Sequence, residues 1–239
     1  MSFILVDALS NRHLLDIGKA CKDLKLVTGG SGLAMGLPAN FREAGLLKAQ
    51  GGLIELPKLE GGAAVLAGSC SEATREQVAY MVRHYPALAV DPLSLAETRE
   101  GGTSEKKLKE AVTWAKARLS QGPVLIYSTA GPKDVARVQE RLGQREAGEV
   151  VEEFFAELSV TLRTEGVRKL IVAGGETSGA VLGALGVKAL RIGPEIAPGV
   201  PWSITEASPA EEGHVMCLAC KSGNFGNEDF FLKALEMLP

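Results

Sequence analysis

The chain has 239 residues, enough for one large α/β domain or two small ones. Hydrophobic residues make up 46% and charged residues 23%, the balance of an ordinary globular protein. The net charge of −3 arises from acids and bases mixed along the chain, so no basic block points to nucleic acid or a membrane surface, and no apolar run is long enough to span a bilayer.

In chain order, Ile4-Leu5-Val6 predicts a short strand, and the first residues lack the charged region and cleavage site of a signal peptide. Leu14, Ile17, Gly18, Cys21 and Leu24 recur at helical spacing. Leu24-Lys25-Leu26-Val27 predicts a strand leading into Thr28-Gly29-Gly30-Ser31-Gly32. Ala63 to Ala67 predicts a strand leading into Gly68-Ser69-Cys70-Ser71, followed by a helix with Val78, Met81, Val82 and Tyr85 on one face. Residues 97–105 are the best candidate for a mobile polar loop. Leu108, Ala111, Val112, Ala115 and Leu119 stripe a helix, and Val124 to Ser128 predicts a strand ending at a Gly131-Pro132 turn. Val151, Phe154, Phe155, Leu158 and Leu162 stripe a long helix before the apolar run Lys169-Leu170-Ile171-Val172. Ala180 to Leu185 predicts a helix, and Val215 to Cys220 a last strand.

Strand and helix patterns that alternate in this way predict an α/β fold, a largely parallel sheet flanked by helices. In such sheets ligands bind beyond the carboxyl ends of the strands. Four predicted strands end in small, glycine- and hydroxyl-rich loops: Thr28 to Gly32, Gly68 to Ser71, Gly174 to Gly179, and Lys221 to Gly226. One such loop is ordinary turn chemistry. Four point to a single site that needs close backbone approach.

Ala173-Gly174-Gly175-Glu176-Thr177-Ser178-Gly179 carries the strongest signal. Paired glycines let the backbone turn tightly and meet a ligand. Thr177 or Ser178 is the expected cap of the helix that follows. Free N–H groups at a helix start, reinforced by the dipole, suit a phosphate. The chain has no GxxxxGK[ST], no dinucleotide GxGxxG and no GxSxG, which excludes by sequence the P-loop, dinucleotide-fold and nucleophile-elbow readings. Cys217 and Cys220 lie three apart on a strand and so point to opposite faces, which predicts inert thiols and no metal site. Four sparse cysteines suit a reduced cytoplasm.

The segments Gly174-Gly175-Glu176-Thr177-Ser178-Gly179, Ile192 to Trp202, and Lys221-Ser222-Gly223-Asn224-Phe225-Gly226 with Asp229-Phe230-Phe231 resemble the C-terminal nucleotide-binding domain of the four-carbon acid sugar kinase family, formerly a domain of unknown function. Gly29 to Ala34, and Ala67 to Ser71 with Thr74, Arg75 and Gln77, fit the same pattern. The resemblance covers nearly the whole chain and implies a nucleotide-binding domain over residues 1–239. It implies ATP-dependent phosphorylation of threonate, erythronate or oxo-tetronate, with Mg2+ carrying much of the positive charge. By the same resemblance, Ser71, Gly174, Gly175, Glu176, Thr177 and Gly223 contact ATP, and no catalytic residue is assigned. Family members also carry an N-terminal substrate-binding domain opening with an Asp-Asp-x-Thr-Gly-Ala type motif, which this sequence does not contain. The expectation is therefore half a kinase, partnered by a substrate-binding domain supplied elsewhere, with a homo-oligomer also open.

Other roles stay open. Glu176 is read either as orienting magnesium through water or as bonding a loop amide. Lys221 either neutralises phosphate or is solvated, Asn224 either contacts phosphate or holds its turn, and Arg75 either reaches a phosphate or lies on a solvated face. The segment Pro198 to Trp202 is expected to be a rigid loop, with Trp202 packed structurally rather than stacked on adenine. The alternative function is a non-catalytic fragment that binds a nucleotide or a phosphorylated metabolite. An isomerase- or aldolase-like protein is disfavoured by the lack of an acid–base pair.

Overall fold

A computed structural model describes residues 5–48, 54–100, 104–206 and 215–239. The chain divides into two compact units, Met1–Leu53 and Ile54–Pro239.

The smaller unit holds α1 (Asn11–Ala20), a 3-10 helix (Ser31–Gly36) and α2 (Leu37–Glu43). Ser10 caps α1 by accepting from the His13 N–H. Gly18 and Gly36 let α1 and the 3-10 helix touch backbone to backbone, and Asn40 Nδ2 donates to the Gly18 carbonyl at 2.8 Å. The strands expected at Leu5-Val6 and Leu24 to Val27 do not form, and Ile4 lies outside the described residues. A strand must pair its backbone groups with a neighbour. No described segment pairs with these, and Leu26 is 87% exposed.

The larger unit is a seven-stranded sheet: β1 (Gly62–Ala67), β2 (Ala87–Ala89), β3 (Val124–Tyr127), β4 (Val167–Ala173), β5 (Leu190–Ala197), β6 (Val200–Thr205) and β7 (Cys217–Lys221). The order is β2-β3-β1-β4-β7-β6-β5. The first five strands of that order run parallel, and β6 and β5 join antiparallel. Helices α3 (Glu72–Val82), α4 (Pro92–Glu100), α5 (Ser104–Leu119), α6 (Pro132–Leu142), α7 (Gln144–Thr164), α8 (Gly175–Ala184) and α9 (Phe230–Glu236) complete the unit. The α/β expectation holds, with a mixed, mostly parallel sheet.

The central strands read as continuous apolar runs because both faces are covered. Alternate residues serve opposite faces. Ala64, Leu66, Leu170, Val172 and Leu218 pack with Phe154, Phe155 and Leu158 of α7. Val65, Ala67, Ile171, Ala173 and Ala219 pack on the other face with Met81 of α3 and Phe230 and Phe231 of α9. Each large side chain fully buried in these layers contributes about 1.5–3 kcal/mol.

The segment expected to be a rigid loop at Pro198 to Trp202 is instead the turn of the antiparallel hairpin β5–β6 and the first half of its second strand, β6. Pro194 and Pro201 mask it in the sequence, since proline suits only edge strands and irregular pairing. The register does shift between Ile192 and Glu195. Trp202 is fully buried, and its indole N–H donates to the Ala234 carbonyl at 2.9 Å, which fixes it as a structural residue. Within the expected mobile loop, residues 97–100 end α4, Ser104 begins α5, and 101–103 lie outside the described residues.

Candidate functional site

Parallel strands deliver their carboxyl ends to one edge of the sheet, so the loops after β1, β3, β4 and β7 are neighbours there. From β1 the chain builds β2 and β3 on one side and then crosses to β4 on the other. That reversal opens a crevice between β1 and β4, the position where such sheets bind ligands.

Hydrogen bonds knit the loops together. The N–H groups of Gly68 and Ser69 both donate to the Ala173 carbonyl, at 3.0 and 3.1 Å. The Gly174 N–H donates to the Lys221 carbonyl at 2.9 Å. Thr129 Oγ1, in the loop after β3, donates to the Ser69 carbonyl at 3.0 Å.

The glycines mark close approaches. A Cβ on Gly68 would strike Thr177 Oγ1, and one on Gly174 would lie 2.8 Å from the same atom and 3.3 Å from the Ser69 nitrogen. Gly174 also has φ +131°, a conformation closed to most other residues. A Cβ on Gly223 would meet the Ser69 and Ser71 hydroxyls. Ser69 thus touches both neighbours, and Ser71, Gly174 to Thr177 and Gly223 lie around one crevice. The loop at Thr28 to Gly32 belongs to the smaller unit.

Helix α8 starts earlier than its sequence suggests. Its N-cap is Gly174, and no side chain caps it. Thr177 and Ser178 sit inside its first turn, and Ser178 Oγ donates to the Val172 carbonyl. The expected hydroxyl cap fails because the helix begins at Gly175, whose preceding glycine has no side chain to offer. The N-terminus of this ten-residue helix is therefore open to an outside anion. In contrast, Ser71 caps α3 by accepting from the Thr74 N–H at 3.3 Å.

Beneath Gly223 lies a polar knot. Lys221 is 1% exposed, and its ammonium donates to Thr74 Oγ1 at 3.0 Å and to the Gly223 carbonyl at 2.8 Å. Thr74 Oγ1 donates to the same carbonyl at 2.9 Å. Burial pulls the Lys221 ammonium down to about 8. Lys221 is thus neither solvated nor open to a phosphate: it holds the loop after β7. Gln77, fully buried, donates through Nε2 to the carbonyls of Phe225, Gly226 and Asn227. Gln77 therefore secures the turn from below, while Asn224 is exposed. Arg75 is half-buried, and its Nε has no partner among the protein atoms.

A family model named the nucleotide-binding C-terminal domain matches residues 64–231. The chain belongs to this family, a domain of the four-carbon acid sugar kinases. Among curated proteins, this nucleotide-binding C-terminal domain chain is similar to a 3-oxo-tetronate kinase of Burkholderia multivorans, 49% identical over 98% of the chain and 52% of the relative. A 3-oxo-tetronate kinase of Pseudomonas fluorescens is 48% identical over the whole chain and again 52% of the relative. The chain thus spans about half the length of these curated relatives. Among solved structures, one from Salmonella typhimurium is 40% identical with a TM-score of 0.77, and one from Haemophilus influenzae 35% identical with a TM-score of 0.73. Each covers 98% of the chain and is itself matched over 52% and 53% of its length.

Sequence reasoning missed the β3 loop, the buried role of Lys221 and the clamp made by Gln77. Only the β3 loop left a signal, a Ser-Thr-Ala-Gly string after an apolar run. Cys217 is buried and Cys220 partly so, and burial pushes both thiols up, in keeping with inert cysteines. No helix of the described residues is long and apolar enough to cross a membrane.

Proposed function

We propose that this chain is the ATP-binding half of a kinase that phosphorylates a four-carbon sugar acid of the 3-oxo-tetronate, threonate or erythronate class. The observation that carries the reading is the open α8 N-terminus in the β1–β4 crevice, flanked by Ser71 on one loop and Gly223 on another. Phosphoryl transfer depends on positioning and charge neutralisation. The first-turn N–H groups of Gly175, Glu176 and Thr177 receive phosphate oxygens, and Gly174 keeps the approach free of side chains. The Lys221 knot sets the position of Gly223.

Magnesium typically binds through one or two carboxylates together with substrate phosphates. Glu176, exposed in the first turn of α8, fits that role, and the ion would offset the triphosphate's charge there. The curated relatives carry the name 3-oxo-tetronate kinase and are about twice as long as this chain. The sugar acid is therefore assigned to a substrate-binding half outside this chain. Of the thirteen large apolar side chains exposed among the described residues, ten lie in the smaller unit, Leu5 at 96% and Leu9 at 89% among them. Such a concentration suits burial against that half. Four free cysteines suit a cytoplasmic setting.

A thermal-shift titration with ATP and Mg2+ tests the nucleotide reading. Ligand at a hundred times its Kd adds about 2.7 kcal/mol, a rise of about 5–10 °C for a unit of this size. Gly175→Leu is expected to remove the rise; a Cβ on Gly175 meets nothing within 4 Å, and a urea midpoint equal to that of the parent checks that the fold is kept. No rise in the parent chain overturns the proposal. Turnover on mixing with the N-terminal half of a 3-oxo-tetronate kinase supports the kinase assignment. Tight ATP binding with no turnover in any mixture favours the non-catalytic binding module.

A further inference from the structure

We propose that the pocket walled by α6 and α7 beside the crevice is the nucleoside subsite, taking the ribose and base of the nucleotide whose phosphates meet α8. The inference rests on the nucleotide-binding reading above and extends it to residues outside the glycine loops.

The pocket has a volume of about 330 Å³, at the lower end of small-molecule sites. One end is formed by Gly68, Ser69 and Gly174 to Thr177, the phosphate end. The α6 and α7 walls add apolar surface from Val135, Val138, Ala147 and Val151, joined by Pro92 of α4, together with the side chains of Gln139 and Gln144. A flat base suits such walls, and a chain of phosphates does not.

Ser128 and Glu152 add polar groups to the lining. Ser128 lines the pocket, is 5% exposed, and its hydroxyl has no hydrogen-bond partner among the protein atoms. A buried orphan hydroxyl is unusual and invites a ligand atom. As both donor and acceptor, it can meet a ring nitrogen or an exocyclic amine. Glu152, on α7, also lines the pocket.

The charge balance selects the ligand. Glu152 and Glu176 line the pocket, and among the described residues no Lys, Arg or His does. A sugar-acid carboxylate would be repelled there. Ribose hydroxyls are neutral donors, and a carboxylate facing them is the arrangement used by other nucleotide sites. Glu152 is therefore assigned to the ribose hydroxyls and Ser128 to the base edge.

Titration calorimetry on the full chain tests this with ATP, 2′,3′-dideoxy-ATP, adenosine and inorganic tripolyphosphate. The parent chain is expected to prefer ATP over the dideoxy compound by about tenfold, the worth of one charge-assisted hydrogen bond. Glu152→Gln is expected to shrink that preference to within about threefold while leaving tripolyphosphate binding unchanged, since a neutral amide makes a weaker bond. Ser128→Ala is expected to raise the melting temperature of the free protein, by removing the orphan, and to weaken adenosine. If ATP binds but Glu152→Gln leaves the preference intact, the ribose assignment falls alone. If Ser128→Ala stabilises the protein with no loss of adenosine affinity, the base assignment falls alone. If neither ATP nor tripolyphosphate binds the parent, the subsite and the nucleotide reading fall together.

Discussion

Gln77→Leu tests how the loop after β7 is held. The Gln77 amide has two N–H groups and meets three carbonyls, those of Phe225, Gly226 and Asn227, at 2.9, 3.1 and 3.0 Å. Leucine keeps the bulk of the side chain and the helix propensity but takes their donor from the Phe225 and Gly226 carbonyls, while the Asn227 carbonyl still accepts from the Phe230 N–H at 3.1 Å. Losing two such bonds costs about 1–3 kcal/mol each. The substitution also removes Gln77 Oε1, which is buried without a partner, and this returns about 1–3 kcal/mol. The net expectation is a loss of about 1–3 kcal/mol, read as a lower urea midpoint with unchanged slope. ATP affinity should fall alongside, because Gly223 shares the same turn. A midpoint equal to that of the parent would refute the claim that Gln77 organises this loop.

Other outcomes follow from the same network and its neighbours. Lys221, held near 8 against an ordinary 10.5, binds its proton less well folded than unfolded, so stability is expected to rise as pH climbs from about 8 to about 10.5. The gap sets a ceiling of about 3 kcal/mol, and Lys221→Met should abolish the rise in urea midpoints measured across that range. Gly68→Ala drives a methyl into Thr177, so it should cost about 1–3 kcal/mol. In a double-mutant cycle, Thr177→Ala should restore most of that loss, because it deletes the atoms the methyl strikes. Cys217 is buried, with its thiol pushed up, so it should resist a thiol reagent in the native protein and react at once in denaturant.

The parallel core was legible because its strands are apolar on both faces: Ala63 to Ala67, Val124 to Ser128 and Lys169 to Val172 stand out against the helical stripes between them. The glycine loops were legible for the same reason, being the abrupt polar ends of those runs. The edge hairpin was not, since Pro194 and Pro201 break the strand pattern where only irregular pairing tolerates them. Leu24 to Val27 misled in the opposite sense: apolar composition supplies strand propensity but not a neighbour. Lys221 shows a different limit. A lysine after an apolar strand normally reaches water, and only the fold reveals that Thr74, from a helix 147 positions away in sequence, meets its ammonium. Gln77 was quoted within a motif, yet its role as a clamp depends on three carbonyls brought to it from about 150 residues on.

The central claim is that loops distant in sequence grip one polyanion at the ends of β1, β4 and β7. Amide chemical shifts of isotopically labelled protein, followed during titration with a non-hydrolysable ATP analogue and Mg2+, test it most directly. The resonances of Ser71, Gly175, Glu176, Thr177 and Gly223 should move together and fit a single dissociation constant. Saturable binding that leaves these amides in place, and shifts others instead, would contradict the account.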